Sequence, residues 1–333
     1  MEKITNLTII GAGSWGTGLA IYLSQKYKIY LWGRDKNQIE YMKTQRKNPK
    51  YLKEFKLNEN IIPTSNLKDA LDKAEIVINA IPTQQIRKFY IENKDFFKNK
   101  IIINTSKGIE NETLKLIDEI FFDIFNTNDN FVTLSGPTFA KEIAQGKPSA
   151  ATVSSYNEEL GKTCQKIINS EKFRIYFEPD VKGVLLGGAL KNVIAIAAGI
   201  IEGLSLGLNS LAALITRALA EIRRLGTKLG ANSLTFSGLS GLGDLVLTCY
   251  GNLSRNRKAG ILLSKGYDLK RILKEIGEVA EGIYTSKSAY NLSKKLNVDM
   301  PITKEVYKII YEGKSPIKAL QDLMKRDLKY EKD

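Results

Sequence analysis

A chain that runs from the short apolar stretch Leu7 to Ile10 straight into Gly11-Ala12-Gly13-Ser14-Trp15-Gly16 has few folds open to it. The order strand, glycine loop, helix, strand is that of a dinucleotide-binding βαβ unit. Gly11 allows the tight turn, Gly13 lets the backbone come close to a pyrophosphate, and Gly16 lets the following helix, Thr17 to Lys26, pack on the strand with its N-terminal amides facing the anion. A second strand, Lys28 to Trp32, follows at once and ends in Gly33-Arg34-Asp35. Folds of this kind that select NAD place an acid on the ribose 2′-hydroxyl there, and NADP-binding ones place an arginine. Arg34 therefore favours NADP(H), Asp35 keeps NAD(H) open, and a solvated loop arginine is the alternative reading.

Residues 36–60 are polar and lysine-rich, in keeping with short helices and loops. Regular structure is expected to resume with a helix from Asn66 to Lys73 and buried strands at Glu75 to Ala80, Ile101 to Asn104 and Phe131 to Leu134. Further strands at Ala150 to Ser154 and Phe173 to Phe177 complete the sheet. The loops after these strands carry Ser106-Lys107-Gly108 and Ser135-Gly136-Pro137-Thr138-Phe139-Ala140. They leave from the carboxyl ends of the strands, the edge where doubly wound sheets bind ligands. Lys107 is a candidate to face an anionic or carbonyl oxygen; the other reading is a solvated loop lysine. Glu178-Pro179-Asp180 closes this half, because proline cannot continue a strand ladder. The expected division is residues 1–180 as a Rossmann-like domain and 181–333 as an all-helical domain.

In the second half only helical patterns occur. Val181 to Gly203 is a run of apolar and small residues interrupted by Lys191 and Asn192. A lysine carried by a helix that crosses a domain is held in dry surroundings, which push its pKa toward neutrality and suit it to proton transfer. The chain has no histidine to compete for that task. A lysine snorkelling from a core helix is the structural alternative. A membrane span is disfavoured, since the uncharged run on either side of Lys191-Asn192 falls short of the roughly 20 residues a bilayer requires. A helix from Asn209 to Leu229 carries a stripe of Leu211, Leu214, Ile215, Leu219, Ile222 and Leu225. The glycine-rich turn from Ser237 ends in Asp244, either an acid/base partner or a first-turn helix acid. Ser254-Arg255-Asn256 looks like an N-capped helix start with donors for a phosphate, or else a solvent-facing basic turn.

Composition narrows the class. The 333 residues are 43% hydrophobic and 26% charged, enough for two folded domains. The net charge of +14 is spread along the chain without basic runs interleaved with aromatics, so no nucleic-acid partner is expected. The apolar run before the first glycine is too short for a signal peptide, and a cytoplasmic protein is expected. Cys164 and Cys249 are too few and too far apart for a metal cluster or a disulfide framework and read as buried small hydrophobes; no metal is expected.

Taken together, GAGSWGT, SKGI, SGPTFA, GGALKNVIAIAAGI, GLGDL, SRNR and VAEG resemble, in order and over essentially the whole chain, the bacterial NAD(P)-dependent sn-glycerol-3-phosphate dehydrogenases. The resemblance implies NADP or NAD as cofactor, contacted by Ser14, Trp15, Arg34, Lys107, Ala140, Arg255, Val279 and Glu281 beside the glycines. It implies a small phosphorylated substrate contacted by Lys107, Gly136, Thr138, Lys191, Asp244, Ser254, Arg255 and Asn256, with Lys191 as proton acceptor in the oxidative direction. Thr138 stands where the family commonly has serine, which keeps the hydroxyl. Lys53 stands after Tyr51-Leu52 where the family commonly has proline, which leaves Tyr51 without an assigned contact.

The implied reaction is reversible reduction of dihydroxyacetone phosphate to sn-glycerol 3-phosphate for phospholipid synthesis. Lys191 would protonate the alkoxide, Lys107 would depress the Lys191 pKa, and Asp244 would orient the lysine or a substrate hydroxyl. A homodimer stays open as an assembly. The rivals are a two-domain reductase of a 3-hydroxy acid or ketoacid and a dinucleotide-binding sensor without catalysis. A carboxylate in place of phosphate marks the first, and loss of the proton donor marks the second.

Overall fold

The computed structural model describes residues 4–328, 330 and 331. It divides into two units, one formed by the residues up to Ser106 with Asp118–Val181, the other by Lys107–Ile117 with the residues from Lys182 on. The expected boundary at 180/181 put residues 107–117 in the first domain, whereas this segment groups with the helical unit. Two bonds to that unit show why: Asn192 Nδ2 donates to the Lys107 carbonyl at 3.4 Å and Ser288 Oγ to that of Ile109 at 3.0 Å.

The first unit is built on eight strands: β1 Asn6–Ile10, β2 Lys28–Trp32, β3 Ile61–Thr64, β4 Ile76–Asn79, β5 Ile101–Asn104, β6 Phe131–Ser135, β7 Ser149–Ser155 and β8 Phe173–Phe177. Their order is β3-β2-β1-β4-β5-β6-β7-β8, parallel throughout except for the antiparallel β6–β7 pair. The helices are α1 Ser14–Leu23, α2 Lys36–Gln45, α3 Leu67–Asp72, α4 Ile86–Glu92, α5 Ile117–Phe125, α6 Ala140–Ala144 and α7 Glu158–Ile168. The central strands are apolar on both faces because both are covered, and Leu7, Ile9, Leu31, Ile78 and Ile103 belong to one core. The direction of winding reverses between β1 and β4, paired through Ile9 and Ile78, so ligands are expected beyond the ends of these two strands.

Two expectations shift here. Helix α1 starts at Ser14, inside the glycine motif, and not at Thr17. Ile61–Thr64 is a strand, earlier than Asn66, where regular structure is expected to resume; its Pro63 is tolerated because β3 lies at the sheet edge, where a missing N–H breaks no ladder.

The second unit contains α8 Val181–Gly203, α9 Gly207–Lys228, α10 Asp244–Tyr250, α11 Arg255–Ser264, α12 Leu269–Ile276, α13 Glu281–Lys295, α14 Pro301–Tyr311 and α15 Pro316–Met324. Helix α8 is its axis. By length and composition α8 would reach across a bilayer, contrary to the shorter estimate from the sequence, but 89% of its apolar window is buried within the protein. Small residues along α8 let other backbones approach: a Cβ at Gly199 would lie 1.9 Å from the Arg257 carbonyl oxygen on α11. Side chains Leu214, Ile215, Ile222 and Leu225 of α9 are buried. The stretch from Ser237, expected as a glycine-rich turn, forms a π-helical turn at Leu239–Gly243 and is preceded by a 3-10 turn at Ser233–Ser237.

Candidate active site

In the first unit the glycine loop is fixed by backbone sterics. Gly11 has φ +113°, its N–H donates to the Trp32 carbonyl at 2.9 Å, and a Cβ there would lie 2.6 Å from the Ala80 oxygen at the end of β4. A Cβ at Gly16 would lie 1.9 Å from the Gly11 oxygen. Gly13 is different, since a Cβ there would meet nothing within 4 Å. It is also the N-cap of α1 and offers no side-chain cap, and the first turn of α1, opened by Ser14 and Trp15, contains no acid. An open backbone ahead of uncapped helix amides fits the pyrophosphate of a dinucleotide. Arg34 is exposed beyond β2, and Ala140 lies against α1, where a Cβ on Gly18 would meet its carbonyl oxygen at 2.8 Å. Gly136, at φ +154°, and Thr138, whose Oγ1 donates to the Gly136 carbonyl at 3.2 Å, lie in the loop after β6.

The second unit brings together Lys107, Lys191 and Asp244. Asp244 is 1% exposed and Lys191 8%. The Asp244 carboxylate lies between the two ammonium groups, Oδ1 2.9 Å from Lys191 Nζ and Oδ2 2.5 Å from Lys107 Nζ. Lys191 Nζ also donates to Thr248 Oγ1 at 2.7 Å, and that hydroxyl donates to the Asp244 carbonyl at 2.7 Å. Burial and the neighbouring Lys191 charge push the Lys107 ammonium down to about 8 against the pull of Asp244. Burial also favours a neutral Asp244, but the two lysines outweigh it and hold the carboxyl below its ordinary range. Lys191 does not snorkel: its ammonium ends on a buried carboxylate and a buried hydroxyl.

Asp244 is the first-turn acid of α10 and also forms the centre of the charge cluster. Thr248, four residues on and so on the same helix face, was not anticipated. A threonine within an apolar helix gives no sign of its own, but its spacing from Asp244 would have pointed to it.

The phosphate candidates surround the start of α11. Ser254 caps it, its Oγ accepting from Arg257 N–H at 3.2 Å. Arg255 is 2.8 Å from Glu278. Asn256 is buried, donating to Asn192 Oδ1 at 2.8 Å and accepting from the Gly282 N–H at 3.0 Å. Asn256 thereby joins α11 to α8 and to the start of α13, with Asn192 as its partner on α8. Val279 is exposed and Glu281 opens α13. Both cysteines are buried, which pushes each thiol up to about 12. Among the described residues no group of three or more His, Cys, Asp or Glu side chains is placed to hold a metal.

Residues 6–161 match the family model described as NAD-dependent glycerol-3-phosphate dehydrogenase N-terminus, and residues 180–321 match its C-terminus counterpart. The chain is 48% identical over 327 residues to glycerol-3-phosphate dehydrogenase (NAD(P)+) of Thermoanaerobacter sp. strain X514, covering 98% of both chains. Its structure resembles glycerol-3-phosphate dehydrogenase of Coxiella burnetii, with TM-score 0.93, 34% identity and 97% and 99% of the two chains covered. Against the Saccharomyces cerevisiae enzyme the TM-score is 0.81 at 27% identity, with 97% and 100% covered.

Proposed function

Because the chain belongs to the NAD-dependent glycerol-3-phosphate dehydrogenase family, we propose that Lys191 is the proton donor of its reaction, the reversible reduction of dihydroxyacetone phosphate to sn-glycerol 3-phosphate. NADPH or NADH, when bound, supplies the hydride. The observation that carries the Lys191 assignment is its donor inventory. An ammonium has three N–H bonds, and Asp244 Oδ1 and Thr248 Oγ1 take two of them in fixed directions. The third is left for the substrate's carbonyl oxygen, which gains negative charge as hydride arrives at carbon.

Asp244 lets buried Lys191 and partly buried Lys107 stay side by side, and Lys107 adds positive charge at the developing oxyanion. The Ser254-Arg255-Asn256 start of α11 takes the phosphate, and this grip away from the reacting carbon holds the ketone in place. On the first unit, the Gly11–Gly16 loop with Ser14 and Trp15 takes the pyrophosphate, and Arg34 the adenosine ribose. Gly136, Thr138, Ala140, Val279 and Glu281 complete the proposed contacts. A cytoplasmic location, a product used in phospholipid synthesis and a homodimeric assembly belong to the same reading.

A second reading is favoured by one observation: the Lys107 ammonium, beside the same carboxylate, is pushed down to about 8, so it too could release a proton at physiological pH. Two measurements test these assignments. NADPH oxidation with dihydroxyacetone phosphate as the only other reactant, compared with ketoacid substrates, tests the reaction. Lys107→Met and Lys191→Met separate the two donors, since only loss of the true donor abolishes turnover at saturating substrate. Ketoacid reduction without turnover of the phosphorylated ketone would refute the reading.

A further inference from the structure

The far side of the glycine loop is held by an amide network that none of the residues assigned above includes. Asn48 is 1% exposed. Its Nδ2 donates to the Ala12 carbonyl of the loop at 3.1 Å and to Thr17 Oγ1 at 2.9 Å. Its Oδ1 accepts from the N–H groups of Lys50 at 3.0 Å and Tyr51 at 3.1 Å. Gln38 Nε2 ties the same parts together, donating to Ala12 O at 2.7 Å and Asn48 Oδ1 at 3.2 Å. The backbone of Lys50 is thus fastened, through one buried side chain, to the loop proposed to take the pyrophosphate.

The Lys50 side chain in turn reaches Asp35 Oδ2, with Nζ at 2.6 Å. The other Asp35 oxygen caps α2, accepting from Asn37 N–H at 3.0 Å and Gln38 N–H at 3.1 Å. Both carboxylate oxygens of the acid beyond β2 are therefore engaged, one by a helix cap and one by a cation. Arg34 is next in sequence to Asp35 and near enough that its charge opposes that of Lys50, whose ammonium Asp35 nevertheless holds above its ordinary range. Arg34, Asp35 and Lys50 carry a net charge of +1 at the place where the fold receives an adenosine ribose.

We propose that Lys50, positioned by Asn48 and neutralising Asp35, is a second cation beside Arg34 for the 2′-phosphate of NADP(H), so that the chain discriminates in favour of NADPH over NADH. A phosphate dianion has a partner in each of Arg34 and Lys50. A ribose 2′-hydroxyl gains little, since the acid that would accept from it already accepts from α2 and Lys50. This inference rests on the reading of the first unit as the cofactor site.

Calorimetric titration of the whole chain with adenosine 2′,5′-bisphosphate, AMP, NADPH and NADH tests it without turnover. In Lys50→Ala the Kd for adenosine 2′,5′-bisphosphate and NADPH should rise about fivefold to twentyfold, the range for one charge-assisted contact at a largely exposed position, with AMP and NADH changed less than about twofold. Asn48→Asp keeps the acceptor for Lys50 N–H but loses both donors to the loop. It should weaken all four ligands, whereas Lys50→Arg should retain the preference for the 2′-phosphate. Asp35→Asn keeps the helix cap and should leave NADH binding within about twofold. Equal losses for NADPH and NADH in Lys50→Ala, or a tenfold loss of NADH in Asp35→Asn, would overturn the proposal. Failure of the wild-type chain to bind any of the four would instead overturn the cofactor-site reading and the inference with it.

Discussion

Replacing Asp244 with asparagine removes the negative charge between a buried ammonium, Lys191, and a partly buried one, Lys107, while preserving shape. Asparagine still offers one acceptor, but its amide nitrogen must face one of the two lysines, now 2.9 Å and 2.5 Å from the oxygens they bind. Removing one partner of a buried ion pair costs about 3–5 kcal/mol, because the remaining charge stays in dry surroundings. The pH dependence identifies the cause. Lys107 is held at about 8 against an ordinary 10.5, a shift worth about 3 kcal/mol. With the folded pKa depressed, the unfolded chain binds more protons between these values, so stability rises from about pH 8 to 10.5 and this gain is absent below pH 8. Without Asp244 the folded pKa of Lys107 falls further, and the rise begins at lower pH and becomes larger. Urea unfolding followed by circular dichroism between pH 6 and 10 should show a deficit of about 3–5 kcal/mol at pH 7 that shrinks steadily toward pH 10. A deficit under about 1 kcal/mol, or one equal at all pH values, would refute the account of the cluster as two cations held by one buried carboxylate.

Arg255→Ala should raise KM for dihydroxyacetone phosphate about tenfold or more while leaving the slow turnover of unphosphorylated dihydroxyacetone unchanged, as measured by steady-state kinetics. Glu278→Gln frees the same guanidinium from its 2.8 Å partner and should lower the inhibition constant of inorganic phosphate about twofold to fivefold, seen in competition with substrate. Gly16→Ala should fail to reach a native melting temperature, since its methyl would lie 1.9 Å from the Gly11 oxygen. Gly13→Ala, where the methyl meets nothing within 4 Å, should melt like the wild type and lose NADPH affinity in a fluorescence titration.

The parts of this chain legible in its sequence are those where backbone contact dictates residue type. Gly11 and Gly16 are demanded by carbonyl oxygens close to where their Cβ atoms would be, so their spacing identifies the βαβ unit without any tertiary information. Lys191 was legible as a polar break in a buried helix for a related reason: a buried charge requires a partner, and Asp244 proves to be that partner. Thr248 was hidden because a threonine hydroxyl serves equally as an inert methyl-sized filler in an apolar helix. The strand Ile61–Thr64 was hidden because Pro63 is acceptable only at a sheet edge, and edge position is a property of the whole topology. Asn48 and Gln38 were hidden for another reason. They lie in a predominantly polar, lysine-rich stretch, where nothing local separates an amide buried beneath the glycine loop from one facing solvent. The separation of residues 107–117 from the sheet was invisible too, because it depends on α8 and α13 capturing the Lys107 and Ile109 carbonyls.

The most direct test of Lys191 as proton donor is kcat at saturating dihydroxyacetone phosphate and NADPH for Lys191→Ala and Lys191→Arg, each with NADPH affinity measured separately. Loss of a general acid lowers kcat by about 10²- to 10⁴-fold. NADPH affinity should be unchanged in both variants, and arginine should not rescue turnover, since a guanidinium carries the charge but does not cycle a proton. A near-wild-type kcat in Lys191→Arg would contradict the account, leaving Lys191 as a fixed charge and Lys107 as the remaining donor.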